Sequence, residues 1–235
     1  MTVKQIMAEL QAMGDEGIKK ILLKHGVKEP FFGVKVEQLK TIQKKIKTDY
    51  QLAKDLYATG NADAMYLAGL IADDEKMTKA DLQTWVKQAV SQNISEYTVP
   101  WVAAGSKFGF ALGMEWIKSK EENIAAAGWS TISNVVALKP DTELDIPALK
   151  KLLATIEKNI HTSPNRVRSA MNAFIIAVGS YVIPLTADAL TIAKNIGTVT
   201  VVTEGTACKV PAAADYIGKI KARGGWGKKK KMVKC

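Results

Sequence analysis

The sequence predicts an all-α fold, an α–α superhelix of stacked antiparallel helix pairs with a concave inner face. Three observations predict it. Apolar residues recur at three- and four-residue intervals along most of the chain, the spacing that places them on one face of a helix. Gly, Pro and capping Asn or Thr residues interrupt that spacing often, and the short connections they leave favour antiparallel neighbours. Strand-like sequence is confined to Thr198–Thr203, read as a short β-like or extended link.

The elements follow in order. Val3, Ile6, Met7, Leu10 and Met13 mark a first helix ended by Gly14, and Ile18, Ile21 and Leu22 a short second one. The run KEPFFG at Lys28–Gly33 is a breaker, because Pro30 stops a helix and Gly33 permits an unusual turn. Val36–Ile46 reads as a helix with a lysine-rich outer face, and Leu52–Tyr57 as the next, closed by Gly60. Asn61 is a cap for the helix through Met65, Leu67, Ala68 and Ile71. Thr78 with Asp81 forms a capping box for the helix through Trp85, Val86 and Val90. Further helices are expected over 96–104, 108–118, 121–136, 146–159, 164–178 and 186–195, and Pro211 opens a last one through Tyr216 and Ile220. Roughly a dozen helices at about 35–45 residues per pair match the period of HEAT-like repeats; a compact helical bundle is the alternative.

Charge and composition narrow the function. The chain has 235 residues, 47% hydrophobic, and a net charge of +10. Eight basic residues and no acid lie in 219–235, so residues 1–218 carry only +2. We therefore expect one HEAT-like domain over 1–218 and a basic C-terminal tail over 219–235, either a solvated flexible end or a polyanion contact. No apolar run approaches the roughly 20 residues needed to cross a bilayer, and Met1–Lys20 is amphipathic with acids, unlike a signal peptide. Cys208 and Cys235 make neither a metal spacing nor a disulfide framework, which suggests a reduced cytoplasmic setting and no metal or cofactor.

Several motifs can be tested for chemistry. GGWGKKKK is not a P-loop, since Ala222 stands where a Gly is needed and Lys229 where Ser or Thr is. His25 and His161 have no nearby Cys or His; His161, before SPNRVR, is a cap or a phosphate contact. In EYTVPW, Tyr97 and Trp101 are four apart and share a helix face. Trp129 and Asn134 lie in the small-residue run AAAGWSTISN, where a backbone or a ligand can approach closely; the other reading of Trp129 is a core anchor. Arg166 and Arg168 occupy a first helical turn, where arginine is unusual, and imply an external anion or a neighbouring carboxylate.

A resemblance sharpens these readings. Phe31–Asp74, with FFGVKV, then LAKDLYATG, then AMYLAGLIADD, resembles the AlkD-like DNA alkylation repair family of the HEAT-like repeat DNA glycosylase superfamily. It extends through SEYTVPW, PNRVR and GTACKVP, and so covers most of the chain. The resemblance implies HEAT-like pairs with a concave DNA-binding face, and in active members removal of cationic N-alkylated purines by a carboxylate that stabilises the sugar cation, with aromatic rings against the base. In those members a Trp precedes the catalytic Asp by four residues; the matching positions here are Tyr97 and Trp101, so the ring is kept in kind and the Asp is lost. A family arginine has no counterpart in Ala125–Gly128, and a second family Trp falls near Ala173 and Phe174.

The expectation is therefore a divergent, monomeric member that binds duplex, damaged or branched DNA, without membrane attachment and with no catalytic residue assignable by motif. Tyr97, Trp101 and Trp129 are the candidate aromatic contacts; Arg166, Arg168, Lys228, Lys229, Lys230 and Lys231 are the candidate phosphate contacts. Two alternatives stand beside it: an active N-alkylpurine glycosylase with a relocated carboxylate, Glu96 or Glu115, and a protein–protein scaffold.

Overall fold

A computed structural model describes residues 1–89, 91–202 and 210–234. Among these are thirteen α-helices and no strand, as the all-α reading requires. The chain resolves into two compact units: Met1–Phe108 with Lys234, and Gly109–Val202 with the C-terminal stretch through Val233.

The first unit contains α1 (Val3–Ala12), α2 (Glu16–Lys24), α3 (Val36–Ile46), α4 (Tyr50–Tyr57), α5 (Ala62–Ile71), α6 (Lys79–Gln88) and α7 (Val99–Gly105). Local rules account for most of the starts. Thr2, Asp15, Asp49, Asn61 and Thr78 each accept a first-turn N–H, and Thr78 with Asp81 makes the expected capping box. Helix α5 is buried almost all round, with α3, α4 and α7 against it. Tyr57 stacks on Trp85 with centroids 4.0 Å apart, and its hydroxyl donates to the Trp85 carbonyl at 2.7 Å.

The breaker after α2 has a specific partner. The backbone N–H groups of Phe32, Gly33 and Val34 converge on the Asp63 carboxylate at 2.6, 3.1 and 3.2 Å. Gly33 adopts φ +81°, and a Cβ there would meet Asp15 O at 2.7 Å, so both the turn and the close approach require glycine. Burial pushes the Asp63 carboxyl up, and the three N–H bonds work against that rise. This loop is an anion cradle already filled by the chain's own carboxylate.

The second unit contains α8 (Gly109–Trp116), α9 (Glu122–Leu138), α10 (Ile146–Asn159), α11 (Asn165–Tyr181), α12 (Thr186–Ile196) and α13 (Ala213–Ala222). Its core is continuous, running from Trp129, Ile132 and Val136 through Leu149, Leu153 and Ile156 to Phe174, Val178, Ala189 and Ile217. The small residues of α9 admit a backbone: a Cβ on Gly128 would lie 2.5 Å from Ile117 N. Residues 198–202 of the expected extended link carry no regular structure; Thr203, most of GTACKVP, Val90 and both cysteines lie outside the described residues.

After α13 the chain turns in a Schellman motif. Gly224, at φ +69°, donates to Lys221 O at 3.0 Å, and Gly225 donates to Ile220 O at 3.0 Å. Trp226 then donates its indole N–H to Thr186 Oγ1 at 3.1 Å, and Gly227 N donates to Ser180 O at 2.8 Å. GGWG is thus a folded connection to α11 and α12.

Candidate nucleic-acid interface

The EYTVPW segment forms a helix with an irregular start. Ile94–Thr98 is a π-helical turn that runs directly into α7, with the Val99 N–H donating to Ile94 O. Pro100 explains it: proline has no N–H, and its ring crowds the carbonyl four residues back. A wider turn before it relieves that crowding, and π-turns recur at functional sites. The turn is seated closely on α5, because a Cβ on Gly69 would run into the Thr98 side chain.

This turn separates the two rings. Tyr97 is 50% exposed, whereas Trp101 is 5% exposed. Their centroids are 6.1 Å apart at 52°, and Trp101 meets Tyr66 of α5 edge-on at 5.3 Å. The three rings form one cluster with Tyr97 as its exposed member. Tyr66 escaped the sequence reading; its only signal was an amphipathic ring in an otherwise small and apolar helix.

Trp129 is a core residue. It is 2% exposed and meets Phe174, itself fully buried, edge-to-face at 5.3 Å. Ten of the seventeen residues of α9 are buried, so a ring in the middle of that helix packs inward. Phe174, one step from Ala173 near which a family Trp falls, serves the same core.

The PNRVR segment turns out to hold neighbouring chain. Asn165 makes two bonds with the Val202 backbone, at 2.7 and 2.8 Å, and Arg168 Nη1 donates to Thr200 O at 3.0 Å. The Arg166 backbone N–H donates to Glu122 Oε1 at 2.6 Å, at the start of α11. Both arginine side chains are half-buried. His161 Nε2 lies 2.8 Å from Ile196 O, at the end of α12; a carbonyl only accepts, so Nε2 carries the proton.

The lysine run divides. Lys229 is 2.8 Å from Asp141 Oδ1 and donates to Val136 O at 2.9 Å near the C-terminus of α9, while the Lys230 backbone N–H takes Ala137 O at 2.7 Å. These bonds satisfy carbonyls that the helix end leaves unpaired and place a cation where the helix dipole favours one. The Lys228, Lys230 and Lys231 side chains are exposed.

No carboxylate stands where the family pattern has one. Glu96 lies buried at 9% exposure in the π-turn beside Tyr97, and Glu115 is exposed on α8 in the other unit. Among the described residues no His, Cys, Asp and Glu cluster could hold a metal. Asp74 of the first unit has a carboxyl raised far above its ordinary range. Burial raises its pKa to about 6, against the pull of Lys234, which pairs with it at 2.7 Å and also donates to Ala72 O at 2.8 Å beyond α5. Because the folded state binds this proton more tightly than the unfolded chain, the contribution to stability is largest below pH ~4 and declines through about pH 6. Lys234→Met should therefore destabilise the first unit little at pH 5, where Asp74 is protonated, and by about 1–3 kcal/mol at pH 7.5. Hydrogen exchange of α5 amides at the two pH values measures it; equal losses at both would contradict the pairing.

Comparison with known proteins adds the following. The DNA alkylation repair enzyme family matches residues 6–207. Uncharacterized protein Lmo0209 of Listeria monocytogenes is 32% identical over 229 residues, covering 95% of this chain and 99% of the relative. Uncharacterized protein Lin0241 of Listeria innocua is 31% identical over the same length. A solved structure described as a new family of proteins related to the HEAT-like repeat DNA glycosylases with affinity for branched DNA structures superposes with a TM-score of 0.91, at 37% identity and with both chains fully covered. The HEAT-like helical fold expected from the sequence is the fold of this chain.

Proposed function

We propose, from the premise that the chain belongs to the DNA alkylation repair enzyme family, that it binds branched DNA on the concave face a HEAT-like array offers and does not excise bases. The observation that carries the reading is the exposed Tyr97 ring at the family's aromatic position, followed by a buried Trp101 where active members place their Asp. A ring can stack on an unpaired base at a branch point, worth about 1–3 kcal/mol per base. Base excision needs a carboxylate at the developing sugar cation, and an indole at that position supplies none. Arg166 and Arg168 are secondary phosphate contacts in this reading.

The experiment titrates the protein with a four-way junction and with a linear duplex of the same sequence across a salt series. Junction binding should be tighter, should weaken with salt, and should fall by about 5- to 100-fold in Tyr97→Ala. Alkylated DNA incubated with the protein should release no 7-methylguanine or 3-methyladenine. Absence of binding to either DNA at low salt removes the binding reading. Base release that is abolished by Glu96→Gln or Glu115→Gln would replace it with a glycosylase using a relocated carboxylate.

A further inference from the structure

We infer that the segment from Lys219 to Lys231 is a pre-ordered ledge for the phosphate backbone of a DNA duplex arm, with Lys228, Lys230 and Lys231 as its contacts and Lys229 as its anchor. The inference rests on the DNA-binding reading above and adds to it a second contact surface, lying wholly within the second unit.

The charge is concentrated and uncompensated. Between Ala213 and Lys234 the only carboxylate is Asp215, in the first turn of α13. Of the eight cations in 219–234, Lys229 is taken by Asp141 and Lys234 by Asp74. The other six, Lys219, Lys221, Arg223, Lys228, Lys230 and Lys231, are exposed and have no ion-pair partner among the described residues. Six neighbouring like charges repel one another and destabilise the folded segment unless a polyanion meets them.

The backbone that carries them is fixed. The Schellman turn, the Trp226–Thr186 bond, the Gly227–Ser180 bond and the Lys230–Ala137 bond tie it to α11, α12 and the end of α9. A free lysine-rich tail would lose backbone entropy on docking. Here that ordering is complete before any ligand arrives, which strengthens binding without new contacts. Lys229 has a different task from its neighbours: its side chain is 20% exposed and spans Asp141 and the Val136 carbonyl, so it holds the ledge and contacts no phosphate. Trp226 has Lys221 over its ring at 4.8 Å and its indole N–H on Thr186, so this ring serves the folded ledge. Isolated cations without base contacts read phosphates, not sequence.

The test compares salt slopes. Wild type, the triple variant Lys228→Gln, Lys230→Gln, Lys231→Gln, and Tyr97→Ala are titrated with a linear duplex and a four-way junction from about 50 to 300 mM salt. Each phosphate contact contributes about 0.9 to the slope of log K against log salt. The triple variant should lower that slope by about 2–3 on both probes and weaken binding at least about tenfold at 0.1 M salt, with a melting temperature no lower than that of wild type. Tyr97→Ala should leave the slope unaltered. Binding by the triple variant with a slope within about 0.5 of wild type overturns the ledge and leaves the DNA-binding reading in place; failure of the wild type to bind either probe overturns both. Displacement of the duplex by polyglutamate at equal charge concentration would assign the ledge to an acidic protein and overturn it as a DNA contact. Should the triple variant unfold, Lys231→Glu alone carries the test, with a slope lower by about 1 expected and an unchanged slope overturning the proposal.

Discussion

Replacing Asp63 with alanine should destabilise the first unit by about 3–5 kcal/mol, among the largest effects of any single change in the chain. The carboxylate accepts from three consecutive backbone N–H groups, two of them on buried residues, and these N–H groups bond no other acceptor among the described residues. Alanine leaves all three donors unpaired, and each unpaired buried donor costs about 1–3 kcal/mol. The loop also fixes the start of α5, because the Ala62 N–H donates to Pro30 O at 2.9 Å. Asparagine keeps one carbonyl oxygen and should lose about half as much. Urea unfolding followed by tryptophan fluorescence measures both; a loss below about 1 kcal/mol in Asp63→Ala would mean the loop finds another way to satisfy its backbone.

Trp129→Ala should cost the second unit about 3–5 kcal/mol, the range for truncating a large buried ring. The buried ring of α9 meets Phe174 of α11 edge-on within the core, so its removal leaves a cavity that rigid helices do not collapse to fill. Trp129→Phe should cost less than half of that: it keeps an aromatic partner for Phe174 and removes a buried indole N–H that has no acceptor among the described residues. Both variants, measured under conditions where they are folded, should bind a four-way junction within about twofold of wild type, a difference of about 0.4 kcal/mol. Undiminished stability together with lost binding would return Trp129 to the interface.

The contrast between these residues shows what was legible in the sequence. Helix positions and caps followed from neighbours three or four residues apart, which is why Asn61, Thr78 and Asp81 behave as their spacing implies. Asp63 was invisible because its partners lie about 30 residues away and are backbone groups, which any sequence supplies. The family pattern singles out Tyr97 and Trp101 by position, but residue type does not separate an exposed ring from a core ring. Trp129 and Tyr97 are both aromatic, and what surrounds them separates the buried ring from the exposed one. The basic run was read as one object because its residues are adjacent; its division into Lys229 and the rest depends on Asp141 and the Val136 carbonyl, the latter 93 positions away.

The π-turn at Ile94–Thr98 makes the display of Tyr97 a matter of counting. Such a turn holds one residue more per hydrogen-bonded ring than an ordinary helix. Losing a single residue from it would restore regular winding and rotate everything that follows by about 100° around the axis. In a lineage of related proteins, a one-codon insertion or deletion here would therefore re-aim the exposed ring while leaving the composition of the segment almost untouched. Pro100 guards against that, since an ordinary helix at this point would again press its ring on the preceding carbonyl.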